Sequence, residues 1–147
     1  MNNRHFWAQK IRSAMKAVDA GVSEADLATA PNLTYWRPHI SRQWAPILWG
    51  MVSGHPELSD GWITTSQLVA IDPNLRWART ASRWYALGPP FSEYEAIIAQ
   101  GLKFEGAPAG FVQIEVPGYM PLDDMSRLDE LLAAWRVRMQ SENEEGH

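Results

Sequence analysis

Residues 62–88, "WITTSQLVAIDPNLRWARTASRWYALG", leave the backbone few choices. The first ten are rich in β-branched and apolar side chains, and Asp72-Pro73-Asn74 then sets Asp and Pro at the first two positions of a type I turn. The pattern predicts a hairpin over residues 62–82. In its returning arm, period-two alternation puts Trp77, Arg79 and Ala81 on one face and Ala78, Thr80 and Ser82 on the other. Apolar "PILWGMV" precedes the hairpin, and Gly54, Pro56, Asp60 and Gly61 mark the bend between them. The expectation is an antiparallel β-meander over about residues 46–88.

Helical periods flank this region. Phe6 or Trp7, Ile11, Ala14, Met15 and Val18 recur at helical intervals before Gly21, opposite a basic face of Arg4, Lys10, Arg12 and Lys16. Ser23 and Asp26 form a variant capping box for a short second helix that Pro31 stops. Residues 31–46 hold three prolines and no period, which predicts an extended arm lying over the core. Ser92 and Glu95 suggest a capping box for a helix over 93–100 that ends at Gly101, and "GFVQIEVPG" alternates like one half-buried strand. A last helix over 123–140 starts with Asp123 and Asp124 at the positive end of its dipole and carries the seam Met125, Leu128, Leu132, Trp135 and Met139. That seam suits docking on the chain's own sheet, with a homodimer contact as the alternative.

These elements make an α+β fold: a small antiparallel meander, an N-terminal helix, a short middle helix and a C-terminal amphipathic helix. The 147 residues suit one domain able to bury roughly 70% of its unfolded surface. Within it, residues 1–30 are helical, 31–90 hold the arm and meander, 91–140 read helix-strand-helix, and 141–147 are an acidic tail. Charge is uneven: net +3 over residues 1–50, zero over 51–90 and −7 over 91–147, for −4 in all. This balance argues against a general nucleic-acid binder.

The chain has no cysteine, so it offers no disulfide and no thiolate for zinc or catalysis, and it fits a reducing compartment. Its N-terminus reads as an amphipathic helix, with no signal peptide or membrane span, which places the protein in the cytoplasm without a membrane partner. His5, His39, His55 and His147 show no metal-ligand spacing, and no phosphate-binding glycine loop is present. No cofactor, metal or catalytic residue is therefore expected. His55 sits at a bend beside Glu57 and Asp60, where a carboxylate could orient it as a general base; a turn histidine bonded to local backbone is the simpler reading. Thr64, Thr65 and Ser66, set against Thr80, Ser82, Arg79 and Arg83, form a possible phosphate cradle.

The outlying residue is tryptophan. Eight of them exceed what one core readily hides, since each carries about 150–250 Å² and an N–H that needs a partner. Trp36, Arg37, Trp62, Trp77, Arg79, Arg83 and Trp84 are the candidate binding residues, a Trp/Arg-rich ribbon of the composition that dominates protein interfaces. The leading expectation is a non-enzymatic interaction or regulatory protein that recognises a protein partner. Nucleic-acid binding through the same face is the alternative, and a small hydrolase using His55 is the third.

Trp36-Arg37-Pro38, Gly54-His55-Pro56, Asp60-Gly61, Thr65-Ser66, Trp77-Ala78-Arg79-Thr80, Ser82-Arg83, Tyr85 and Leu87-Gly88 together form a recognisable pattern. It resembles a family of small alphaproteobacterial proteins known only as a domain of unknown function, over about residues 31–90. The resemblance implies a bacterial or mobile-element setting, brings no activity, and leaves the terminal helical regions outside it.

Overall fold

The computed structural model describes residues 3–104, 106–108 and 110–145. Helix α1 (Asn3–Ala20) buries the predicted stripe at Ile11, Ala14 and Met15, but Phe6 and Trp7, expected to begin it, are both exposed; Gly21 leaves the helix at φ 93°. Helix α2 (Glu24–Thr29) starts on the predicted capping box: Ser23 Oγ accepts from Asp26 N at 2.9 Å, and Asp26 Oδ2 accepts from Ser23 N at 3.1 Å.

The segment expected as an arm is instead the centre of the sheet. Strand β1 (Asn32–Ser41) pairs antiparallel with β2 (Pro46–Ser53), parallel with β6 (Trp84–Leu87) and antiparallel with β7 (Tyr119–Pro121). A proline in mid-strand argues against such a position, and the local geometry shows why Pro38 is tolerated. Its cross-strand partner Leu48 turns away toward β3 (Gly61–Thr64), where its N donates to Thr65 Oγ1 at 3.0 Å and its O accepts from Thr65 N at 2.9 Å. Pro38 and Leu48 therefore exchange no bond, and the N–H that proline lacks is not needed by the β2 ladder. A bulge at Tyr35, with φ 55°, shifts the β1 register between Thr34 and Arg37 and lets Tyr35 N donate to Pro89 O.

The strand order is β3-β2-β1-β6-β5-β4, with β4 spanning Leu68–Ile71 and β5 Trp77–Thr80. The Asp72-Pro73-Asn74 turn joins β4 to β5 as predicted, but the continuous meander does not form: β3 and β4 stand at opposite ends of this path. Residues 65–67 alone connect them, a reach of about 15 Å for a fully extended chain, whereas five strand spacings in a flat sheet span about 24 Å. The sheet must coil until its two edges approach. Inside the coil lie Leu33, Trp36, Leu48, Val52, Leu68, Ala78 and Tyr85, and Leu128 of α4 (Met125–Glu145) packs with them. Gly50 lets β1 and β2 close up, since a Cβ there would stand 3.0 Å from Trp36 Cα.

The α4 seam docks on the chain's own core. Met125, Leu128 and Leu132 pack on the main cluster, while Trp135 and Met139 join Ile11, Met15 and Ala81 beneath α1. Three local expectations change. Helix α3 (Phe91–Gly101) begins after Pro90 with no side-chain cap, because Glu95 instead accepts from Val112 N. It ends at Gly101 as expected, and Lys103 at φ 55° then allows Phe104 N to reach Ala99 O. The strand expected in 110–118 does not form, and the backbone pairs only from Tyr119. Residues 141–145 of the expected acidic tail extend α4, and residues 146–147 lie outside the described residues.

Candidate functional site

Strands β5 and β6 build one partly exposed face. Register pairs Arg79 with Trp84 across these strands and with Ala70 on β4, and it pairs Trp77 with Ala86. Directly paired residues share a face, so Trp77 and Trp84 are diagonal neighbours on it. Their rings meet edge to face at 5.3 Å and 81°, and the Arg79 guanidinium lies over the Trp84 ring at 5.2 Å from its centroid. Small Ala70 and Ala86 flank these large side chains. Ala78 and Thr80, the alternate residues of β5, are fully buried on the other side.

Arg79 is held by backbone: its Nε donates to Thr80 O at 3.0 Å. Among the described residues no carboxylate lies within ion-pair distance of it. Burial lowers its pKa from the ordinary guanidinium value, Asp26 opposes that shift, and the like charge of Arg83 adds to it. Arginine stays charged regardless, so the cost of partial dehydration remains in the folded protein.

A family model matches residues 2–144: a family of unknown function, DUF6634. The chain belongs to DUF6634. The match takes in the helical regions at both ends, which the narrower resemblance over 31–90 left outside. No curated protein and no solved structure matches the chain.

In this DUF6634 fold the seven candidate residues do not share one face. Trp77, Arg79 and Trp84 come together as described. Arg83 closes the turn from β5 to β6 and reaches Glu57 Oε2 at 3.8 Å. Trp36 is 4% exposed and its indole N–H donates to Gly88 O, so its ring is a core element and not a surface. Arg37 is also largely covered; it forms a two-bond pair with Asp123 and lies over Phe91. Trp62 stands on β3, far along the strand order from β5, so no single ribbon carries all seven.

Of the other chemical candidates, Thr65, Thr80 and His55 are bonded locally, whereas Ser66 Oγ is buried with no partner among the described residues. Thr65 Oγ1 donates to Ser66 O and accepts from Leu48 N, and Thr80 Oγ1 accepts from Ser82 N and Arg83 N. Thr64 is on β3, which does not pair with β5, so the expected cradle is not built on one ladder, although Gln67 O accepts from Ala81 N and brings the 65–67 segment beside the end of β5. His55 Nδ1 accepts from Glu57 N and Leu58 N, which is the backbone-bonded turn geometry. Among the described residues no three His, Asp or Glu side chains gather to hold a metal, and no helix is long and apolar enough to cross a membrane.

Sequence reading missed a second aromatic group. Trp49 and Trp62 stack at 4.3 Å and 11°, Phe91 meets Trp49 edge-on, and Tyr94 bridges Trp62 to Tyr35. Helical spacing sets Phe91 and Tyr94 on one side of α3, but joining them to Trp49 and Trp62 required the β2–β3 register and the central position of β1.

Proposed function

We propose that this protein is a non-enzymatic interaction or regulatory module that recognises a protein partner through the Trp77–Arg79–Trp84 face. The observation that carries this reading is the Arg79 guanidinium seated on Trp84, with Trp77 edge-on beside it, in one partly exposed patch bordered by alanines. Tryptophan and arginine are the residues whose burial most often dominates binding energy, and rigid, preformed side chains lose little entropy when a partner covers them. A cysteine-free chain suits work in a reducing cytoplasm.

The test is capture of partners by the purified chain, with and without nuclease, alongside Trp77→Ala and Arg79→Ala. Nuclease-resistant capture of a defined protein is expected, with either truncation costing about 2 kcal/mol of binding at unchanged melting temperature. Capture that nuclease abolishes, with affinity falling log-linearly as salt rises, would assign the face to nucleic acid.

A further inference from the structure

The recognition face carries an unmet electrostatic demand. Arg37, Arg76, Arg83, Arg127, Arg136 and Arg138 each reach an acid at 3.8 Å or less. Arg79 has no such partner among the described residues, although it is partly dehydrated and close enough to Arg83 to feel its charge. The acid whose field reaches it, Asp26, is committed elsewhere: its Oδ2 accepts from Ser23 N in the α2 capping box. A carboxylate brought from outside would offset both the dehydration and the repulsion.

The geometry also fixes how such a group would approach. Thr80 O takes the Nε–H, so the free edge of the guanidinium is the one formed by its two terminal nitrogens. The guanidinium lies over the Trp84 ring, 5.2 Å from its centroid, and a planar carboxylate can bind its terminal edge through two parallel hydrogen bonds. Ala70 pairs with Arg79 and Ala86 with Trp77, so the residues facing these two side chains across the ladder are small.

We propose that the face takes an acidic peptide segment, with an Asp or Glu carboxylate on the terminal nitrogens of Arg79 and a neighbouring apolar side chain against Trp77 and Trp84. This rests on the protein-recognition reading and names the chemistry of the partner. Phosphate would satisfy the same edge, but a nucleic-acid strand must bring a run of phosphates to a protein of net charge −4, whereas one carboxylate in a peptide need not.

The experiment selects binders from a random peptide library displayed on phage, using the full-length chain and its Arg79→Gln, Arg79→Lys and Trp84→Ala variants, each checked for an unchanged melting temperature. Enriched peptides are expected to share one acidic position beside an apolar residue. Changing that acid to its amide should weaken binding at least tenfold to the parent and leave binding to Arg79→Gln unaltered, with Arg79→Lys intermediate because it keeps the charge and loses the fork. Peptides that need Trp84 but no acid would overturn the carboxylate while leaving protein recognition standing. Peptides indifferent to all three variants, or no enrichment at all, would overturn both. Displacement of the selected peptides from the parent by a single-stranded oligonucleotide, with a steep salt dependence lost in Arg79→Gln, would replace the carboxylate by phosphate.

Discussion

Arg37 Nε and Nη2 donate to the two carboxylate oxygens of Asp123, each at 2.8 Å, tying the central strand to the start of α4. The two residues lie 86 positions apart in the chain, and the pair closes the fold around the side of the sheet where Phe91 covers the Arg37 guanidinium. Asp124, next in sequence, serves a different end: its Oδ1 accepts from Ser126 N and caps α4.

The Asp123 carboxyl is held below its ordinary 3.8, chiefly by the Arg37 hydrogen bonds; burial opposes them, and the charge of Arg37 adds to them. A depressed folded pKa contributes stability that is present above the unfolded value and is lost as pH falls through the folded one. Asp123→Asn should therefore cost about 1 kcal/mol at pH 7, the solvent exposure of Asp123 limiting the effect. Below pH 4 the gap between variant and parent should narrow. Urea midpoints at pH 7 and pH 3 measure both quantities, and a constant gap would show that the pair does not govern the acid limb.

His39 should produce a separate and earlier loss. It is buried on β1, and because a carbonyl can only accept, its Nδ1 must carry the hydrogen that meets Arg37 O at 3.0 Å. Nε2 is buried with no partner among the described residues. Burial lowers the pKa of the ring below its ordinary 6.5; the hydrogen bond to Arg37 O opposes it, the charge of Arg37 adds to it, and Asp123 opposes it. The unfolded ring thus binds a proton more readily, so stability is full above pH 6.5 and declines as pH falls below it. His39→Phe should flatten the profile between about pH 6.5 and 5 and lose about 1 kcal/mol at pH 7.5 with the Arg37 bond. A parent profile that is flat over the same interval would show that the ring takes up a proton without cost.

Local signals were the ones that sequence could carry. The Ser23–Asp26 box, the Asp72 turn, the α4 seam and the middle of the α1 stripe depend on residues within a few positions, and the structure has them; the stripe's expected start at Phe6 or Trp7 is exposed. The same alternation placed Trp77 and Arg79 on one face, and only the turn was then needed to bring Trp84 beside them. What sequence could not carry was pairing at a distance. Pro38 argued against a central strand until Leu48 was seen to face β3, and Trp62 looked like a neighbour of Trp77 until β3 and β4 proved to be opposite ends of a coiled path. The absent strand at 112–116 has an alternating sequence like that of a true strand, and its residues meet no ladder.

Position along the α4 seam should grade the cost of truncation. Leu128 is fully buried in the main cluster, whereas Leu132 is partly buried at its edge and Val137 points to solvent. Leu128→Ala should destabilise by about 3 to 5 kcal/mol, Leu132→Ala by about 2, and Val137→Ala by no more than about 0.5. Thermal unfolding with sedimentation on each variant checks the order. If Leu132→Ala kept its melting temperature while a dimer dissociated, the seam would serve a second copy as well.

His55 offers the sharpest test of catalysis at the 54–61 bend. Its Nδ1 accepts from Glu57 N at 3.0 Å and Leu58 N at 3.1 Å, so the neutral ring carries its hydrogen on Nε2. To act as a base at Nε2, the ring would have to exchange tautomers and surrender both backbone bonds. No bond from Glu57 or Asp60 to the imidazole is present among the described residues: Glu57 lies against Arg83, and Asp60 accepts from Gly54 N. The ring therefore serves as an acceptor that shapes the bend. His55→Ala should cost about 0.5 to 2 kcal/mol of stability and leave partner capture intact. His55→Asn, which keeps a short side-chain acceptor, should recover part of that loss. A His55→Asn protein with native stability but no biological effect would assign the chemistry to the imidazole and displace the interaction reading.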